Sequence, residues 1–89
     1  LQPSVFDYWL SLGHTERGLD DEVNATDAYL IAAEVSKTDP LPYLLAAYIN
    51  IKSNKSDAKG YLEKAKEIIA REGNKHYTDQ VSSLEQQLN

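Results

Sequence analysis

The chain has 89 residues, of which 42% are hydrophobic and 26% charged, with a formal net charge of −5. This length suits one small domain, and the composition is that of a globular protein rather than a disordered one. The chain has no cysteine, which excludes disulfides and thiolate metal sites.

No apolar run approaches the ~18 residues that a membrane span requires. We therefore expect a soluble protein without membrane insertion, and the cytoplasm and the periplasm both remain open. The start at Leu1 instead of Met predicts a piece of a longer protein.

Negative charge is concentrated in the first part of the chain. Residues 1–39 contain eight acidic and two basic residues, whereas residues 40–89 contain six acidic and seven basic ones. Nucleic-acid binding requires a basic stripe, and anionic membrane surfaces repel an acidic one. We therefore expect no nucleic acid as a partner, while a basic partner is compatible with the first part.

The first two predicted elements are helices. Ser4 and Asp7 have the spacing of a capping box at the start of the first helix. Gly13 either lies within this helix or ends it, and the sequence leaves that choice open. The acidic run 20–22 favours the start of a second helix, because negative charge stabilises the positive end of the helix dipole. The apolar stripe of this second helix contains Val23, Ala25, Ala28, Tyr29, Ala32 and Val35.

Three further helices are predicted in the rest of the chain. Asp39 is expected as N-cap of the third helix and Pro40 as its first residue, followed by a core-facing stripe of Leu41, Leu45 and Tyr48. Leu44 and Ile49 are further candidates for that stripe. Asn54 begins the fourth helix and Gly73 ends it, and a fifth has a thin apolar seam of Tyr77, Val81, Leu84 and Leu88. The sequence predicts an all-α fold with boundaries near Gly18–Asp21, Thr38–Asp39, Ser53–Asn54 and Gly73–Asn74.

An internal repeat connects the first four helices. Small and large residues recur at a displacement of 33 positions: Ala25, Tyr29 and Ala32 correspond to Ala58, Leu62 and Ala65, and Leu12-Gly13 corresponds to Leu45-Ala46. Such spacing indicates stacked helical units. Small residues at these positions allow two antiparallel helices to approach closely, while Tyr29 or Leu62 fills the groove beside them.

The repeated residues resemble the tetratricopeptide repeat family, whose unit of about 34 residues is a pair of antiparallel helices. Trp9, Leu12 and Gly13 resemble its first-helix signature, and Ala25, Tyr29 and Ala32 its second-helix pattern, although the second copy has Pro42 in place of Trp9. The resemblance covers about residues 6–72. It implies two stacked hairpins, repeat one at about 6–38 and repeat two at about 39–72, closed by a capping helix at about 75–88.

The chain offers little for catalysis. It contains no Gly-x-Ser-x-Gly and no Gly-rich phosphate loop, and His14 and His76 are not spaced as metal ligands. The acidic run 20–22 lacks the alternating ligand spacing of a calcium loop. Asn24 and Asn54 each begin a triplet that fits the glycosylation pattern, which is common by chance. We therefore expect no enzyme, no metal and no cofactor.

Without catalytic chemistry, the stacked hairpins offer mainly a surface, and we expect a protein–protein interaction module. In the family that the chain resembles, the first helix of each pair lines a groove for a peptide or a partner helix. Carried over by position, this implies partner-binding residues on the first and third helices: Leu10, His14, Arg17, Tyr43, Ala47 and Asn50. The family's polar clamp around a terminal carboxylate has no match, because Leu10, Tyr43 and Ala47 occupy the clamp positions.

The role of Tyr43 is left open by the sequence. It lies in the first turn of the third helix, and its spacing predicts a strip with Ala47 and Asn50, an aromatic anchor beside a small residue and an amide. The other interpretation is that Tyr43 belongs to the core. Tyr48 could likewise face either way. The alternative to an interaction module is a structural capping or dimerisation segment of a larger protein, packed on neighbouring repeats or forming a homo-oligomer.

Overall fold

The computed structural model describes residues 4–88, so the first three residues and the last residue of the predicted domain lie outside the described residues. The described residues form five α-helices: α1 (Val5–Gly18), α2 (Glu22–Val35), α3 (Leu41–Ile49), α4 (Lys55–Glu72) and α5 (Thr78–Leu88). No strand occurs between residues 4 and 88, which confirms the all-α prediction. The loops between the helices fall at the predicted boundaries.

Local side-chain caps explain most of these boundaries. Ser4 Oγ accepts the amide of Asp7 at 3.1 Å, and Asn54 Oδ1 accepts the amide of Asp57 at 3.1 Å. Asp21 caps α2 through the amide of Asn24 at 3.2 Å. Each cap satisfies an amide that has no partner within its helix, so the helix starts are determined locally.

The start of α3 differs by one residue from the prediction. Pro40 already has helical backbone angles and occupies the cap position, and the helix begins at Leu41. Asp39 still contributes, because its carboxylate accepts the amide of Leu41 at 3.0 Å. The shift arises because Pro40 accepts the first helical hydrogen bond, from the amide of Leu44, at 3.1 Å.

Gly13 lies inside α1 and is buried against α2, which answers the question that the sequence left open. A Cβ atom on Gly13 would lie 2.6 Å from Cδ1 of Tyr29, closer than two carbon atoms tolerate. Glycine is therefore required here by the close approach of the two helices and not by a helix end.

Each helix packs on the next one in the chain, and α5 contacts both α3 and α4. The repeated residues of α2 and α4 lie in the core, as their pattern predicts: Ala25, Tyr29, Ala32, Ala58, Leu62 and Ala65. In the repeated pairs of α1 and α3, Gly13 and Ala46 are buried, whereas Leu12 and Leu45 are half-buried. One core cluster joins α2 and α3, with half-buried Leu10 of α1 packed against it, and a larger one joins α3, α4 and α5. The predicted seam of α5 packs into the larger cluster.

The buried face of α3 differs from the expected stripe. Pro42, Leu44, Ala46 and Ala47 are buried, whereas Tyr48 is 50% exposed and Leu41 and Leu45 are half-buried. The physical reason is that α2, α4 and α5 all pack on this short helix, so its alanines fit where neighbouring helices come closest. Tyr48 is left at an open edge.

Candidate interaction surface

Two helical stripes form the sides of an apolar groove between α3 and α5. On α3 the stripe repeats at intervals of three and four residues and consists of Leu41, Leu44, Leu45 and Tyr48. On α5 the corresponding residues are Asp79, Gln80, Ser83, Leu84 and Gln87. The groove encloses about 430 Å³. We refer to it below as the α3–α5 groove.

The floor of the α3–α5 groove is apolar and its rim is polar. Leu44 and Leu84 are each 4% exposed, and Tyr48 offers half of its surface at one edge. On the α5 side of the groove lie the side-chain amides of Gln80 and Gln87 and the hydroxyl of Ser83. This combination can accommodate apolar side chains of an occupant while the rim exchanges hydrogen bonds with its backbone or polar groups.

Opposite charges stand at the two ends of the groove. The Arg17 guanidinium lies 4.9 Å from the centroid of the Tyr48 ring, a cation–π contact. Gln87 lies at this same end, since it lines a second small cleft together with Tyr48. Asp79 precedes Gln87 by eight residues on α5, which places it about 12 Å along the helix. The cleft at the Tyr48 end also contains Lys52 and Glu22, so this end has two cations and one carboxylate. The other end has the carboxylate of Asp79.

Core packing holds α5 in place, and one ion pair joins it to α4. Leu84 and Leu88 are buried against α3 and α4. Lys66 of α4 donates to the Glu85 carboxylate at 3.0 Å, and this hydrogen bond is the largest cause that raises the pKa of Lys66. Burial, with a smaller effect of the Asp39 carboxylate, raises the pKa of Tyr77 just before α5. Burial of Leu84 and Leu88 therefore holds α5 in place beside the groove, and the half-exposed ion pair adds little to this.

The three predicted site residues on α1 have different surroundings. Leu10 is half-buried and packs on the cluster between α2 and α3. His14 is exposed, and its Nδ1 lies 2.7 Å from the hydroxyl oxygen of Tyr29, within hydrogen-bonding distance. Burial raises the pKa of Tyr29, and the nearby Arg17 guanidinium partly counteracts this effect. Of the three, Arg17 borders the α3–α5 groove, through its contact with Tyr48.

The three predicted site residues on α3 do not form one open strip. Tyr43 is half-buried beside α2 and α4, where it lines a small cavity with Ala33 and Ile68. Ala47 has 0% exposed surface and belongs to the core, because α4 and α5 pack over it. Asn50 is half-buried and donates to Thr26 Oγ1 at 2.9 Å and to the Ala46 carbonyl at 2.8 Å. The amide of Asn50 is therefore occupied in joining α3 to α2.

The groove residues of α5 were not identified from the sequence. Gln80, Ser83 and Gln87 have the composition of a solvated helix face, and nothing local distinguishes a groove rim from open surface. Tyr48 gives a weak signal, because helical periodicity does not determine which way its side chain faces. The stripe from Leu41 to Tyr48 is visible in the sequence. The sequence predicts that this stripe faces the core, whereas in the structure part of it is exposed.

Within residues 4–88, no three His, Asp or Glu side chains come together as metal ligands. In the same part of the chain, no helix has the length and apolar character needed to cross a membrane. Comparison of the chain with protein-family models, with curated proteins and with solved structures gave no significant match.

Proposed function

We propose that this chain is a non-catalytic protein–protein interaction module that receives a peptide or a partner helix in the α3–α5 groove. The observation that supports this most strongly is the apolar groove itself, with leucines along its floor and half of Tyr48 exposed at its edge. Aromatic side chains at the edge of an apolar pocket are common anchors of protein interfaces. Of the residues expected from the sequence, Arg17 has a place in this proposal as the cation beside Tyr48.

We also propose that the five helices are a helical repeat of the tetratricopeptide type, with α5 as the capping helix. Burial supports this interpretation, since residues 33 positions apart have matching environments: Ala25 and Ala58 are both 0% exposed, as are Ala32 and Ala65. The order of helix contacts, with α5 against both helices of the second pair, is compatible with a stack. In such a stack, α1, α3 and α5 would line one common face.

The charges at the ends of the groove favour one direction for a bound helix. The positive end of a helix dipole is stabilised by a carboxylate and the negative end by a cation. A partner helix should therefore lie with its N-terminus near Asp79 and its C-terminus near Arg17. Its apolar face would cover Leu45 and Tyr48.

The test is chemical-shift mapping by NMR of the 89-residue chain against candidate partners, including other segments of a longer parent chain. A groove ligand should shift the amide signals of Leu45, Tyr48 and Leu84, and Tyr48→Ala should weaken its binding. Val23→Ala is the control, because Val23 is also an exposed apolar residue, at 73%, but lies on α2 outside the groove. Perturbations confined to α2 and α4, or equal losses from both variants, would contradict the groove proposal and favour a structural capping or dimerisation role.

A further inference from the structure

A second apolar surface lies on the side of α1 that is turned away from α3. Val5 and Tyr8 are 62% and 58% exposed, and with half-buried Leu12 they follow helical spacing along one stripe. Leu10 and Arg17 lie on the opposite side of the same helix, since they contact the cluster around Ala46 and the Tyr48 ring of α3. The first stripe therefore faces outward from the stack.

The outer side of α2 continues this surface. Asp27, Ile31 and Val35 are spaced by four residues, and Ile31 and Val35 are 38% and 46% exposed. The contact between Gly13 and Tyr29 sets the alignment of the antiparallel pair. Because the two helices are antiparallel, residues before Gly13 on α1 lie beside residues after Tyr29 on α2.

Leu12 and Tyr8 thus lie beside Ile31 and Val35. We define the end face as Val5, Tyr8, Leu12, Ile31 and Val35. Among the described residues, no other helix packs on α1 and α2 from this side, because α3 approaches them from the other. The end face is distinct from the α3–α5 groove and shares no residue with it.

The charges that adjoin the end face are acidic. Glu16 continues the α1 stripe, four residues after Leu12. Asp27 lies at the border of the end face, four residues before Ile31, and is close enough to α4 to add, after burial and Asp57, to the raised pKa of Tyr61. Within residues 4–88, neither carboxylate forms an ion pair. The two bases of this region are engaged elsewhere, Arg17 over the Tyr48 ring and Lys37 at 3.8 Å from Glu34.

This charge pattern selects among possible occupants. In a two-fold dimer the same patch covers itself, so one acidic patch would face another without a compensating base. Anionic bilayers would be repelled for the same reason. We propose that the end face binds an amphipathic helix whose apolar stripe is flanked by lysine or arginine. Such a helix would cover the exposed valines, isoleucine and tyrosine and bring cations to both carboxylates.

The probe is a synthetic amphipathic helix with leucines on one face and flanking lysines, compared with a peptide in which glutamates replace the lysines. Both are titrated into the isotope-labelled 89-residue chain at physiological ionic strength. The lysine peptide should shift the amide signals of Tyr8, Leu12 and Ile31, and the glutamate peptide should bind at least about tenfold more weakly. Shifts at Leu45, Tyr48 and Leu84 instead would overturn this proposal and leave the groove proposal intact. Absence of binding by the lysine peptide would also overturn it.

Two exposed valines on the same helix provide matched variants. Val35→Lys places a cation in the end face, where it removes apolar contact and repels the lysines of the peptide, and should weaken binding of the lysine peptide by about tenfold or more. Val23→Lys is the control, because Val23 is 73% exposed but lies about three turns earlier on α2, where it lines the cleft with Asn50 and Tyr61. Its effect should remain within about twofold. Equal losses from the two variants would contradict the proposal, as would a dimer in sedimentation experiments that Val35→Lys abolishes.

Discussion

The ring of Tyr29 lies directly on the backbone of Gly13, and its hydroxyl oxygen lies 2.7 Å from Nδ1 of His14. One fully buried side chain therefore joins α2 to two successive residues of α1. The absence of a Cβ atom at Gly13 is what allows the ring to reach this depth. The contact sets the spacing and the alignment of the first helix pair.

Substitution of Gly13 by alanine should destabilise the protein, although alanine is the better helix former. The added methyl group would overlap the Tyr29 ring and force it to move, at a cost of about 1–3 kcal/mol in the free energy of unfolding. Gly60→Ala is the control, because Gly60 lies within α4 and no neighbouring atom is within 4 Å of the position of its added Cβ. That substitution should stabilise by about 0.5–1 kcal/mol, as expected for an exposed helix interior. Urea unfolding of both variants measures the difference, and a stabilised Gly13→Ala variant would contradict the close packing.

Tyr43 and Tyr48 should respond differently to truncation, although they lie on the same helix. Tyr43→Ala removes a half-buried ring that packs on the core cluster of α3, α4 and α5, and should cost about 2 kcal/mol or more. Tyr48→Ala removes a ring that is 50% exposed, and should cost about 1 kcal/mol or less. Thermal melts of the two variants beside the wild type test this order. An unchanged melt of Tyr43→Ala would indicate that its ring is free to act in binding.

Gly73 ends α4 in a backbone conformation that favours glycine. Its φ of 66° lies in the left-handed region, and the amide of Asn74 returns to the Ile69 carbonyl at 3.1 Å. Gly73→Ala should lower the free energy of unfolding by about 1–2 kcal/mol, because a Cβ atom strains this conformation. Gly18→Ala is the control, since Gly18 is helical and exposed in the last turn of α1. Comparable losses in both variants, measured by urea unfolding, would argue against strain at Gly73.

Alkaline pH should destabilise the fold through its partly or fully buried tyrosines. Burial is the largest cause that raises the pKa values of Tyr29, Tyr61 and Tyr77 above the ordinary 10.0. The unfolded chain therefore loses these protons first, so the stability that they contribute is complete below pH 10.0 and is lost as the pH rises through the raised pKa values. Urea unfolding at increasing pH, with tyrosinate absorbance recorded in parallel, measures this loss.

Tyr29→Phe provides the control for that pH series. It removes one titrating hydroxyl and its contact with His14, so it should be less stable than the wild type near neutral pH, by about 0.5–1.5 kcal/mol. Its stability should then decrease less steeply at alkaline pH. A slope equal to that of the wild type would show that Tyr29 does not contribute to the alkaline transition.

The helix limits and the repeated core positions could be predicted because they depend on neighbours close in the chain. The caps at Ser4 and Asn54 bond to amides three residues away, and Gly73 ends α4 through its own backbone conformation. The positions of the repeated alanines and of Tyr29 and Leu62 can also be predicted from one segment at a time, because helical periodicity alone places these residues on one face of their helix. These features required no knowledge of how the helices pack.

Only the tertiary structure decided which side of α3 is buried and where a groove remains. The helix is apolar on nearly all sides, from Leu41 to Ile49, so its periodicity has no clear direction. Packing of α2, α4 and α5 buries Ala47 and leaves Tyr48 half exposed, the reverse of the order that side-chain size suggests. The same holds for Gly13, whose place inside α1 depends on a ring sixteen residues away in the sequence. Contacts between distant segments set both outcomes, because close-packed helices leave room only for side chains that fit their neighbours.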